Sequence, residues 1–231
     1  MDGEDTSDRT DPPRRRLDAE CRRLLDDLRK RCPHLLPAEP LPAGATAPEL
    51  PASGQRLGTL VSVAAREAAA TRQADPASLP EAVVWEDGSD ALLVDLSTVT
   101  VRVGDGTVLV STAVTCDQLR GRRERVDVTF VVGTPDRPTG LLAATPQTPI
   151  GPRVVVERWA DALIAFAWQA LLDAVGALAA GVGTDRDGTP LVPTVITARP
   201  DELLLQPQAR HGMDRVRTGS VVRTPAVRIE P

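Results

Sequence analysis

Three side chains near the N-terminus are of the types that bind zinc: Cys21, Cys32 and His34. Thiolates that share one zinc ion each lie about 2.3 Å from it, and therefore at most about 4.6 Å from each other. Residues 14–32 have a helical pattern, however, and eleven helical residues would separate the two cysteines by about 16 Å along the helix axis. We therefore interpret Cys21 as a small apolar residue of a helix, and we expect no metal site.

The segment Asp185–Thr189 is rich in acidic side chains and precedes Pro190. Its sequence, D-R-D-G-T, resembles the nucleophile loop of haloacid-dehalogenase-like phosphatases. The resemblance implies a nucleophilic role for Asp185. In that family the loop directly follows a buried strand, whereas here it follows an Ala- and Gly-rich helical segment. Lys30 is the only lysine, so none follows the motif to contact a phosphate. The pattern favours a turn in which Gly188 supplies an unusual backbone conformation.

Residues for nucleophilic catalysis are few. The chain has two histidines, His34 and His211, and no serine stands in a Gly-x-Ser-x-Gly motif. Cys116 ends a predicted strand beside an arginine-rich segment, and we interpret it as a buried or turn-edge cysteine. Acidic residues are plentiful but no pair stands out, so we assign no catalytic residue and expect no cofactor.

A short segment between two predicted strands is strongly basic. Its arginines are Arg120, Arg122, Arg123 and Arg125. Clustered guanidinium groups bind phosphate or the carboxylates of an acidic partner, so this loop is a candidate anion or acidic-partner site. The alternative interpretation is a hairpin loop whose arginines contact only solvent. Nucleic acid is not expected as a partner, because the net charge is −5 and aromatic residues make up only 2% of the chain.

Residues 14–32 predict an amphipathic helix that ends before Pro33. Its apolar residues recur at spacings of four, three and four: Leu17, Cys21, Leu24 and Leu28. A proline-rich linker, residues 33–53, follows. In a polyproline-like form, at roughly 3 Å per residue, this linker would reach about 60 Å. The leucines of the stripe are therefore candidate partner-binding residues, with docking onto the chain's own domain as the alternative.

The middle of the chain predicts an antiparallel meander. Strand patterns occur at Ala82–Trp85, Ala91–Leu96, Val99–Val103, Thr107–Thr115 and Val126–Val132. Asp105 and Gly106 form a typical hairpin turn between two of these segments. A helix-compatible segment, Leu57–Arg72, precedes the meander, and Leu191–Ala198 is predicted as a later strand.

A long helix is predicted at Val155–Ala180, with Asp161, Gln169 and Asp173 as its few clearly polar side chains. A helix that is apolar nearly all round must be buried by a sheet, a second subunit or lipid. In a membrane, Asp173 near its middle would cost about 3 kcal/mol. We therefore expect a core helix, covered by its own chain or partly by another subunit, and no membrane partner.

The sequence thus predicts an α+β protein with about five antiparallel strands packed on one long buried helix. We divide it into a disordered acidic tail (1–13), an amphipathic helix (14–32), a linker (33–53), an α+β domain (54–205) and a basic extended tail (206–231). The odd cysteine count and the acidic start after Met1 favour the cytoplasm. Abundant Ala, Gly and Arg favour a bacterial source.

The expected function is a structural or adaptor role in a bacterial multi-protein assembly, with other proteins and a second copy of the chain as partners. The observations behind it are the amphipathic segment, the charged ends, the over-apolar helix and the shortage of catalytic residues. The alternative is a small-ligand-binding protein or a hydrolase that uses Asp and Arg side chains.

Overall fold

A computed structural model describes residues 12–16, 49–70, 79–138, 145–181, 188 and 191–209. The described residues include two helices, α1 (Gly54–Ala69) and α2 (Arg153–Ala180), and a short 3₁₀ turn at Asp117–Leu119. The first strands are β1 (Arg14–Arg16), β2 (Leu50–Ser53), β3 (Ala82–Asp87), β4 (Asp90–Gly104), β5 (Thr107–Cys116) and β6 (Glu124–Val131). The remaining strands are β7 (Gly133–Thr134), β8 (Arg137–Pro138), β9 (Thr145–Pro146), β10 (Leu191–Arg199) and β11 (Glu202–Ala209).

The main sheet confirms the predicted meander. Its strand order is β1-β3-β4-β5-β6-β9, and strands β3 to β6 are joined antiparallel in sequence order. Gly88 and Gly106 occupy the hairpin turns with φ of +63° and +64°, which only glycine adopts without strain. Two of the predicted strands form the single strand β4, whose register is interrupted between Asp95 and Thr100. There the carbonyl of Asp95 accepts hydrogen bonds from the hydroxyls of Thr98 and Thr112, both at 2.8 Å.

Both helices pack on the inner face of this sheet. Valines at alternate positions, such as Val108 and Val110 of β5, are buried there, as the period of two requires. On α2 the ring of Phe166 meets Trp85 edge-on, with centroids 5.6 Å apart, and Trp168 packs against Phe130 at 5.1 Å. The predicted packing of a long buried helix on a sheet is therefore confirmed.

The chain itself supplies most of the cover that α2 needs. By length and composition the stretch Arg153–Ala179 would be able to cross a membrane, yet 72% of its most apolar window is buried inside the fold. The cover comes from the inner face of the sheet, from α1 and from β10. The sequence left open whether this helix is buried within one subunit or between two, and burial within one subunit accounts for most of it.

A second, smaller sheet has the order β10-β11-β2. The predicted linker 33–53 therefore ends too late, because its last four residues form β2 and Ser53 caps α1 by accepting from the backbone N–H of Arg56. Likewise, β11 runs four residues past the predicted domain end at Leu205. Hydrogen bonds from Gly54 N to the Asp201 carbonyl, and from Asp201 N to the Val103 carbonyl, join this sheet to the main one.

The predicted helix at 14–32 is wrong at its start, because Arg14–Arg16 form the edge strand β1, parallel to β3. The carbonyl of Pro13 accepts a hydrogen bond from the backbone N–H of Val84 at 2.9 Å. The guanidinium of Arg15 donates to the carbonyls of Ala68, Ala69 and Ala70 at the end of α1, at 3.2, 2.5 and 3.2 Å. These tertiary bonds outweigh the helical pattern of the three arginines. Residues 17–32 and 210–231 lie outside the described residues.

Candidate partner-binding surface

The arginine-rich loop connects β5 to β6, and its four arginines are exposed. The chain turns there through Arg120 and Gly121, which have φ of 53° and 72°. Arg123 forms an ion pair with Asp95 of β4. These left-handed dihedrals turn the chain sharply after the 3₁₀ turn.

Arg125 is held by the outer face of the sheet. Its Nε lies 2.6 Å from Oδ1 of Asp127, and its Nη2 donates to the hydroxyl of Ser111 at 2.6 Å. Two of the four predicted arginines are thus neutralised by carboxylates of neighbouring strands. Within the described part of the chain, Arg120 and Arg122 form no ion pair, so their guanidinium groups are the ones free for a partner.

An exposed apolar pair lies directly beside this loop. Ile150 is 69% exposed and Val154, in the first turn of α2, is 46% exposed. Ile150 exchanges two backbone hydrogen bonds with Asp127 of β6, at 2.8 and 2.9 Å. Gly151 lies so close to β6 that a Cβ there would come within 2.9 Å of the Val126 side chain and 3.3 Å of the Arg125 carbonyl. The segment that leads into α2 therefore lies beside the first residues of β6. Those residues of β6 directly follow the arginine-rich loop.

We give the name basic-apolar surface to the exposed groups of this loop and of the segment that passes the start of β6 into α2. It consists of Arg120, Arg122, Arg125, Ile150 and Val154. Sequence analysis identified its arginines but missed its apolar part. The signal was present in the run Pro149-Ile150-Gly151-Pro152, where an isolated isoleucine stands between prolines and outside any predicted strand or helix.

A second polar cluster ties α2 to the turn between β3 and β4. Arg158 places its Nε 2.6 Å from Oδ2 of Asp87, donates to the carbonyl of the same residue at 2.9 Å, and pairs with Asp90. All three side chains are partly exposed. The guanidinium of Arg158 therefore binds both carboxylates. Any ligand of Asp87 or Asp90 would have to displace it.

One small cavity lies between the two helices and the inner face of the sheet and measures about 20 Å³. Its lining includes Val61, Val110, Leu163 and Phe166, and Thr112 is its single polar residue. The hydroxyl of Thr112 already donates to the carbonyl of Asp95. A space that holds about one water molecule, and offers it almost no hydrogen bond, is a packing defect and not a substrate site.

Several residues singled out from the sequence lie outside the described residues. They are the stripe residues Leu17, Leu24 and Leu28, the histidines, Cys21, Cys32, Asp185 and Asp187. Cys116 is described, and it is buried with a free thiol, as predicted. Among the residues whose positions are known, no group of three or more His, Cys, Asp or Glu side chains is placed to hold a metal ion.

The fold defines a mixed α+β class: a mainly antiparallel sheet covered on one face by two helices, with a small second sheet beside it. No family model, no curated protein and no solved structure matches the chain. Its function has to be inferred from the chemistry of its own surfaces.

Proposed function

We propose that the chain is a non-enzymatic structural or adaptor protein that binds other proteins within a bacterial cytoplasmic assembly. The observation that carries this proposal is the exposure of Ile150 and Val154 near the start of β6, together with Arg120 and Arg122 of the preceding loop, which form no ion pair among the described residues. Apolar side chains rimmed by arginine are typical of protein-binding surfaces, in which arginine is enriched. Burying the exposed parts of the two aliphatic side chains would contribute about 2 kcal/mol to binding.

The partner that fits this surface carries apolar side chains bordered by carboxylates. Aspartate or glutamate would bind Arg120 and Arg122 in the bidentate geometry that guanidinium favours. The apolar groups of the partner would pack on Ile150 and Val154 and exclude water from those ion pairs. Because such pairs strengthen when they are desolvated, the apolar and basic parts of the surface support each other.

Copurification tests this function with a matched pair of variants. The tagged chain is expressed with the products of its neighbouring genes, and its complexes are sized by chromatography with light scattering. Ile150→Ser combined with Arg122→Ala should weaken any complex by about tenfold or more. Val63→Ser is the control, because Val63 is 41% exposed on α1 and lies outside the surface. A strictly monomeric chain with no copurifying partner would contradict the proposal.

The alternative, a small-ligand-binding protein or hydrolase, is favoured by the convergence of Asp87, Asp90 and Arg158. Thermal-shift measurements with Mg²⁺ and phosphorylated compounds test it. A rise in melting temperature of several degrees that disappears in Asp87→Asn, or in Asp185→Asn for the phosphatase-like motif, would support a ligand site instead.

A further inference from the structure

We propose that Arg120 is the residue by which the basic-apolar surface recognises its partner, and that its guanidinium binds a carboxylate of that partner. The turn keeps an arginine at this position at a cost in stability. This inference rests on the proposed function and names the residue and the chemical group through which binding takes place. It follows from the backbone conformation of Arg120, from the lack of any described contact that offsets its cost, and from the pairing of the arginines beside it.

Arg120 has a left-handed backbone conformation, with φ of 53° and ψ of 41°. Gly121 follows with φ of 72°, and the backbone N–H of Arg122 donates to the carbonyl of Leu119 at 3.0 Å. Positive φ at both central residues defines a type I′ turn, in which the first central position favours asparagine, aspartate or glycine. An arginine is disfavoured there, because its Cβ lies too close to the following carbonyl oxygen.

The side chain of Arg120 makes no contact within the described residues that offsets this cost. It is exposed, and its guanidinium forms no hydrogen bond or ion pair in the part of the chain that the structure describes. The backbone N–H of Arg120 donates to the carbonyl of Asp117 at 2.8 Å, but every residue except proline would form that bond. A disfavoured conformation that brings no gain within the fold points to a function outside it.

Asp201 also has a positive φ, but the fold provides a structural reason for it. Its φ is 63°, and aspartate adopts this conformation several times more often than most residues. Its backbone N–H donates to the carbonyl of Val103 at 3.0 Å, and its carbonyl accepts from the N–H of Gly54 at 2.9 Å. These two bonds join the two sheets. Among the described residues, Arg120 has no comparable bond to another part of the fold.

The neighbouring arginines hold the base of the loop and indicate which group this loop binds. Arg123 pairs with the carboxylate of Asp95, and Arg125 pairs with that of Asp127. These ion pairs tie the loop to the sheet, so the backbone of Arg120 is held in place before a partner binds. A partner carboxylate therefore meets an ordered turn, which lowers the entropic cost of binding. The planar guanidinium matches a carboxylate with two parallel hydrogen bonds.

The thermal stability of the full chain tests the cost. Arg120→Asn relieves the strained turn position and should raise the melting temperature by about 2–4 °C. Arg122→Asn is the matched control, because Arg122 is also exposed and does not have a positive φ. Both variants remove one positive charge from the same loop, so the difference between them reports the backbone conformation. A melting temperature of Arg120→Asn that does not exceed that of Arg122→Asn would overturn the proposal.

Binding of an acidic peptide tests the recognition. The probe is a fluorescein-labelled peptide in which leucine and glutamate alternate, and fluorescence anisotropy gives its dissociation constant. Arg120→Asn should weaken binding about tenfold, and Arg120→Lys about fivefold, because lysine keeps the charge and loses the paired donors. Arg122→Asn, which removes an ordinary exposed charge, should weaken it about threefold or less. A peptide with glutamine in place of glutamate should not bind.

Equal losses in Arg120→Asn and Arg122→Asn would mean that the peptide responds only to net charge, and that result overturns the proposal. A chain that does not bind the peptide at all overturns it too. Tighter binding of a peptide with phosphoserine in place of glutamate would assign the site to phosphate and overturn the choice of carboxylate.

The complexes of the copurification experiment are measured separately from peptide binding. If those complexes withstand Arg120→Asn but not Ile150→Ser, the role of Arg120 fails and the proposed function stands. If the peptide binds through Arg120 and no complex forms, the proposed function fails alone.

Discussion

The guanidinium of Arg15 lies 2.5 Å from the carbonyl oxygen of Ala69, and this bond joins an N-terminal strand to the end of α1. The last carbonyls of a helix have no partner within the helix, and a cation there is favoured by the helix dipole. The side chain of Arg15 therefore caps the C-terminal end of α1 and helps to hold β1 at the edge of the sheet.

Replacing this side chain should destabilise the fold measurably. We expect Arg15→Ala to lower the free energy of unfolding by about 1–2 kcal/mol, because three carbonyls lose a charged donor. Urea denaturation followed by circular dichroism measures the change. Arg14→Ala is the control, since Arg14 pairs with Glu86 in an exposed position and should contribute about 0.5 kcal/mol or less. Equal losses for both variants would contradict a capping role for Arg15.

The ion pairs of Arg158 should contribute more than an ordinary surface pair. This side chain links α2 to the turn between β3 and β4, so Arg158→Ala should cost about 1 kcal/mol. The control is Arg153→Ala, because Arg153 is largely exposed and pairs with Glu157 on the same helix, a geometry that contributes about 0.3 kcal/mol. Raising the salt concentration should reduce both contributions. If the stability losses of the two variants still differ in high salt, the difference comes from packing of the aliphatic part of Arg158 and not from its charge.

Two glycines should respond to alanine in opposite directions. At Gly151 an added Cβ would lie 2.9 Å from the Val126 side chain, so Gly151→Ala should destabilise the fold by about 1–3 kcal/mol. At Gly176, inside α2, nothing lies within 4 Å of the added Cβ. Gly176→Ala should therefore stabilise it by about 0.5–1 kcal/mol through helix propensity. Thermal melts of the two variants compare them directly. A loss of stability in Gly176→Ala would show that another backbone approaches α2 there.

Gln169 offers a test of an unsatisfied buried group. It is 4% exposed on α2, and its side-chain oxygen has no hydrogen-bond partner among the residues that the structure describes. Gln169→Leu keeps most of the volume and removes the polar atoms, so we expect stability to rise by about 1 kcal/mol. Gln169→Ala should instead lower it, because it leaves a cavity. If Gln169→Leu is destabilising, the amide makes an interaction that outweighs its burial.

Regular patterns in the sequence were sufficient to predict the strands and the long helix of the core. The alternation of Val99, Val101 and Val103 predicts a strand whatever its neighbours are, because successive side chains of a strand point to opposite faces. The run from Val155 to Ala180 predicts a buried helix for a similar reason, since so much apolar surface must leave water. These elements stand in the structure close to the predicted bounds.

Tertiary structure decided what the patterns left open. The helical spacing of the N-terminal segment extends to Arg14, yet three arginines became an edge strand because β3 and the end of α1 offered them hydrogen bonds. Likewise, four arginines look alike in the sequence, and only the strand register pairs Arg123 with Asp95 and Arg125 with Asp127. The exposure of Ile150 depends on how the chain passes β6. Periodicity records the local preference of a segment, whereas edges, charge pairing and exposure depend on residues distant in sequence, and those meet only when the chain folds.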